Sequence, residues 1–149
     1  MRMSSEAAST SKLSRALNAY SAARNDALVA ARKELRISEV DARALLFVVD
    51  NPGVRPSALR DYLGITSAGV TSLVDRLVER GLARRESDAE DRRGNHITAT
   101  VDLTSEPWSA LTEFDRRFEQ AVETNLAERS DELAALLSRL TEESVARGA

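Results

Sequence analysis

The chain has 149 residues, is 42% hydrophobic and 30% charged, and carries a formal net charge of −3. That length suits one domain with a modest core, or a subunit that completes its core by dimerising. No apolar run approaches the ~18 residues of a membrane span, and the polar start MRMSSEAASTSK has no apolar signal region, so a cytoplasmic protein with no membrane partner is expected. The absence of cysteine excludes disulfides, thiol switches and thiolate metal sites.

Residues 1–11 read as a frayed tail. Leu13, Leu17, Tyr20, Ala27, Leu28 and Ala31 then recur mostly at three- and four-residue intervals, an amphipathic helix over 12–33. Ser38 with Asp41 has capping-box spacing and Ile37 suits a hydrophobic staple. They open a second helix over 39–50 with Ala42, Leu45, Leu46 and Val49 inward, stopped by Asn51-Pro52-Gly53. Pro56 begins a third helix that ends at Gly64, and Thr66 is a good N-cap for a fourth.

On the fourth helix Val70, Leu73, Val74 and Leu77 form one apolar stripe, with Ala68, Ser72, Asp75 and Glu79 opposite. Its leading outer face is therefore small and hydroxylated. A strand follows at 82–86. Residues 96–103 alternate, with Ile97, Ala99, Val101 and Leu103 on one face, and are expected to form the return strand. Thr104 or Ser105 is the expected cap of a long fifth helix with Pro107 in its first turn and Trp108, Leu111, Phe114 or Asp115, Phe118 and Val122 in its stripe. A break near Ser130 opens a sixth helix bearing Leu133, Leu136, Leu137 and Leu140. The fold expected is mainly α with a small β-wing, a winged helix-turn-helix of six helices acting as a dimer.

That order supplies a positioning helix, a recognition helix and a basic hairpin. Residues 54–94 hold 8 Arg against 7 acids, and the rest of the chain 13 basic against 17 acidic residues. The positive charge is thus modestly concentrated in the module, and the partner expected is double-stranded DNA. The expected contacts are Thr66, Ser67, Ala68, Gly69, Thr71, Ser72 and Arg76 on the recognition helix, with Arg84, Arg92 and Arg93 on the wing. Hydroxyls and helix N-terminal amides suit phosphates, and arginine suits guanine edges or phosphate. Gly69 is costly inside a helix, which close backbone approach to DNA would explain. Of Arg84 and Arg85, one is expected to face phosphate and the other solvent. An ordinary solvated helix face and a solvated charge run are the plain alternatives for both surfaces.

The segment ITSAGVTSLVDRLVERGLARRESDAEDRR resembles the MarR family of bacterial transcriptional regulators: a recognition helix, an Arg-Gly-Leu junction, and the wing signature Asp88-x-x-Asp91-Arg92-Arg93. The resemblance runs over nearly the whole chain, with one departure. Nine residues, GNHITATVD, separate Arg93 from Leu103-Thr104, so a longer wing is expected. The resemblance implies that Asp88 and Asp91 brace the arginine that enters the minor groove, where negative potential attracts it. It also implies a homodimer built on the terminal helices, 12–37 and 104–149, flanking a DNA-binding region over 38–103. Leu13, Leu17, Leu133, Leu137 and Leu140 are the expected dimerisation residues. Kinship further implies a repressor released by a small anionic or phenolic effector, for which Tyr20, Arg24 and Trp108 are the candidate ligand residues.

His96 is the only histidine, and a metal site usually needs several His or Cys ligands, so no metal and no cofactor are expected. No nucleophile, base and orienter can be assembled, so no enzyme is expected. The rival reading is a winged-helix protein-interaction module without operator binding, which the acidic net charge would suit.

Overall fold

The computed structural model describes residues 10–87 and 95–146. Among them six α-helices and two strands follow in the order α1 (Lys12–Leu35), α2 (Glu39–Asp50), α3 (Pro56–Leu63), α4 (Ser67–Glu79), β1 (Ala83–Ser87), β2 (Asn95–Ala99), α5 (Glu113–Asn125) and α6 (Ser130–Ala146). Single 3-10 turns occupy Trp108–Leu111 and Ala127–Arg129. The chain divides after Leu111 into two compact units.

Local chemistry sets the helix ends. Ser11, Ser38 and Thr66 each accept a backbone N–H three residues on, at 3.0, 3.1 and 3.0 Å, satisfying donors the helix itself leaves open. Only half of the capping box at Ser38 forms, because the Asp41 carboxylate is turned away to Arg76. Gly64 stops α3 with φ 67°, a left-handed position that suits glycine, and its N–H closes on the Arg60 carbonyl at 2.9 Å.

The core of the first unit lies among α2, α3, α4 and the wing. Leu45, Val48, Leu59, Val70, Leu73, Val74, Leu77 and Ile97 are its largest fully buried side chains, each contributing about 1.5–3 kcal/mol by burial. The stripe expected on α4 is the buried one. On α2 the inward face is rotated from expectation. Ala44 and Val48 are buried with Ala42 and Leu45, while Leu46 and Val49 are only half-buried.

The wing pairs Ala83 with Ala99, Arg84 with Thr98, Arg85 with Ile97 and Glu86 with His96. Val54 adds a single bridge to Ile97, which the sequence reading missed. The return strand stops at Ala99 rather than Leu103. Beyond it the Asp102 carboxylate accepts the Thr104 N–H, the Thr104 hydroxyl and the Ser105 hydroxyl at 2.8, 2.6 and 2.7 Å. These bonds hold the Asp102 carboxyl below its ordinary pKa and offer the backbone a turn in place of a ladder. The side chains of Thr104 and Ser105 are thereby committed to that turn and cap no helix.

The long fifth helix is also interrupted. Trp108–Leu111 is a 3-10 turn packed on α1, with Leu111 buried in the first unit. A new helix starts at Glu113, whose carboxylate receives Arg116 at 2.9 Å and Arg117 at 2.6 Å. In the second unit α5, the turn and α6 contain no buried residue. Between them lies an apolar groove of about 750 Å³, lined by Phe118, Val122, Leu126, Leu133, Ala134 and Leu137 among others.

Candidate nucleic-acid interface

The helix α4 presents Thr66, Ser67, Ala68, Thr71 and Ser72 to solvent, with Gly69 half-exposed. Six of the seven contacts predicted on this helix and its cap therefore share its leading half, while Arg76 lies in the trailing half. The Thr71 hydroxyl donates back to the Ser67 carbonyl at 3.0 Å, leaving its lone pairs as acceptors. Gly69 has a local reason as well as the one expected. A Cβ there would meet Thr66 Oγ1 at 3.2 Å, crowding the hydroxyl that caps the helix.

The helix is held on two flanks. Asp75 and Arg76 are successive residues, so their side chains leave α4 about 100° apart. Arg85 Nη2 donates to Asp75 Oδ1 at 2.6 Å and approaches the Thr71 carbonyl at 3.5 Å, tying the wing to α4. Arg76 Nη2 donates to Asp41 Oδ1 at 2.6 Å, and its Nε to Asp41 Oδ2 at 3.4 Å, tying α4 to α2. The Asp41 side chain is 9% exposed and that of Arg76 50%. The hydrogen bond to Asp41 holds the Arg76 guanidinium above its ordinary pKa.

Arg84 and Arg85 separate as alternate strand residues must. Arg84 lies on the outer face and donates to Glu86 Oε1 at 2.6 Å, which keeps the Glu86 carboxyl below its ordinary pKa. Arg85 shares the face of Ala83 and Ile97 and reaches α4. It also lines a cleft of about 290 Å³ with Pro56, Val70, Thr71, Val74 and Asn95. The sequence leaves open which of Arg84 and Arg85 faces phosphate, and it does not anticipate that Arg85 reaches α4. The signal was there in the alternation, since Ala83 reads inward and Arg85 is two residues on.

Asp88, Asp91, Arg92 and Arg93, the wing signature, lie outside the described residues. His96 is half-buried, with Nδ1 2.8 Å from the Gly53 carbonyl. Among the described residues no three His, Asp or Glu side chains are placed to hold a metal, and no helix is long and apolar enough to cross a membrane. Tyr20, Arg24 and Trp108 are each half-buried, and the turn bearing Trp108 packs on the helix bearing the other two. Leu13, Leu17, Leu133 and Leu140 are 44%, 41%, 39% and 46% exposed, while Leu137 lines the apolar groove.

Residues 37–94 match the model of the MarR family. No curated protein sequence matches the chain significantly. Among solved structures, a mutant of S. aureus MepR bound to an oligodeoxyribonucleotide is similar with a TM-score of 0.60 at 20% identity, over 90% of this chain and 99% of that one. The multiple antibiotic resistance repressor MarR gives 0.60 at 20% identity, over 88% and 96%. S. aureus MepR bound to ethidium bromide gives 0.62 at 20% identity, over 87% and 94%. The helix-turn-helix closed by a two-stranded wing and the architecture shared with these structures agree on the fold, a winged helix-turn-helix, and residues 37–94 of the chain resemble the MarR family.

Proposed function

We propose that the chain is a sequence-specific DNA-binding transcriptional regulator that acts as a homodimer on a pseudo-palindromic operator and represses by occluding a promoter. The observation that carries this reading is the leading half of α4. It is small, hydroxylated, exposed and capped, and it is braced beside an arginine-bearing wing. Thr66, Ser67, Ala68, Gly69, Thr71 and Ser72 meet the major groove and its phosphates, and Arg92 and Arg93, braced by Asp88 and Asp91, serve the flanking minor groove. Arg84 stands at the wing's outer face, toward backbone phosphate. The MepR structure with an oligodeoxyribonucleotide supports the partner.

Dimerisation is assigned to 12–37 and 104–149. A helix pair with no buried side chain and an open apolar groove gains little from folding alone, and the exposed leucines supply a surface to bury. A small anionic or phenolic effector that holds the two recognition helices at the wrong spacing relieves repression, with Tyr20, Arg24 and Trp108 as its candidate contacts. The ethidium complex of MepR supports the binding of a small aromatic molecule by a protein of this fold, though ethidium is a cation. Selection of bound sequences from a random duplex pool tests the reading. An imperfect palindrome with half-sites one helical turn apart, ~34–36 Å, is expected. A pool that stays unenriched contradicts operator recognition.

A further inference from the structure

Asp41 is the buried charged residue among the described residues, 6% exposed. Its carboxylate is held by Arg76 through both Nη2 and Nε. One turn further along, Arg80 donates to the Leu35 and Arg36 carbonyls, both at 3.1 Å, closing the C-terminal end of α1. Arg36 holds a left-handed conformation there, φ 51°, and Arg32 pairs with Glu39 at 3.2 Å across the same corner. The trailing half of α4 is thus bolted to the corner between α1 and α2. The Asp75–Arg85 pair pulls on the other flank.

We propose that Arg76 is a positioning residue: paired with Asp41, it fixes the roll of α4 so that Ala68 and Ser72 face outward, and it reads no base. This rests on the operator-binding reading. The Nε–Nη2 edge of the guanidinium is spent on the carboxylate, which leaves a guanine only the Nη1–Nη2 end of a side chain that Asp41 draws toward α2. Swinging Arg76 out to DNA would strand the buried Asp41 carboxylate, a costly arrangement. The two opposed ion pairs leave α4 one orientation in which both are made.

The test compares Asp41→Asn, Arg76→Ala and the double variant on a selected operator and on a panel with each half-site base pair replaced. Asn keeps the shape of Asp41 and weakens the bond. Each single variant should weaken binding on the order of tenfold, and the double no more than the weaker single, because both remove one interaction. Base preferences and the salt dependence should stay as in the wild type. Loss of preference at one base pair in Arg76→Ala overturns the proposal. So does a salt slope reduced by about one in that variant while Asp41→Asn binds normally, the mark of a direct phosphate contact. If Arg76→Ala fails to fold, Arg76→Lys keeps the charge and loses the fork, and the same comparisons apply. Hydrogen exchange without DNA separates the two readings. Faster exchange across α4 in both single variants supports positioning even if the wild type binds no duplex, which would refute the operator reading alone. Unchanged exchange in both overturns the positioning role.

Discussion

Thr66→Asp separates the two roles given to one side chain. Thr66 Oγ1 accepts the Gly69 N–H at 3.0 Å, and loss of such a cap costs about 1 kcal/mol. Aspartate caps as well as threonine, and its charge suits a helix N-terminus by about 0.3–1 kcal/mol. The variant should therefore melt at or slightly above the wild type. Thr66→Ala should melt lower, by roughly 4–8 °C for a unit of about 100 residues. At the DNA the order reverses. Thr66 is exposed at the leading end of α4. A carboxylate about 5 Å from a backbone phosphate is repelled by roughly 3 kcal/mol at an effective dielectric of ~20, on the order of 100-fold in Kd. Thermal melts and fluorescence-anisotropy titrations on a selected operator, both at about 0.1 M salt, measure the two effects on the same samples. A Thr66→Asp protein that melts like the wild type and binds as tightly would refute the placement of DNA at the start of α4.

Leu137→Asp should put a charge into the apolar groove of the second unit and yield a monomer or an aggregate; sedimentation of a well-folded dimer would count against the assigned interface. Glu113 should titrate far below its ordinary 4.5, at about 2, because Arg116 and then Arg117 hydrogen-bond its charged form. Since the folded pKa is the lower one, its stabilising effect is complete above the ordinary value and fades as pH falls from there toward 2. Carboxyl NMR should show this, and an ordinary titration would show that the clamp does not form. Arg93→Ala should leave the melt unchanged and weaken binding most on A·T-rich flanks, where the minor groove is narrow; equal affinity on every flank would take Arg93 out of the mechanism.

Much of the fold was legible because its signals are local. Ser38, Thr66, Pro56 and Gly64 mark helix ends by their own chemistry, and the α4 stripe follows from 3.6 periodicity. The misreadings came where side-chain hydrogen bonds and packing override the periodic pattern. Alternation through Leu103 looked like a continuing strand until Asp102 collected three nearby donors. The stripe from Trp108 onward looked like one helix, yet Leu111 is held in the first unit and Glu113 starts again with Arg116 and Arg117. Arg76 is among the expected DNA contacts, and periodicity cannot show its pairing with Asp41, thirty-five residues away. The inward side of Arg85 was legible from its spacing to Ala83, where only a split between phosphate and solvent was expected for Arg84 and Arg85.

The most direct test of the central claim is the affinity of the wild-type protein for a duplex carrying two half-sites, measured against salt and against half-site spacing. The account predicts that log K falls linearly and steeply with log salt, as phosphate-bound counterions are released. It also predicts that inserting about five base pairs, which turns one half-site to the opposite side of the helix, abolishes tight binding. An affinity indifferent to salt, or one that survives the insertion, would contradict it.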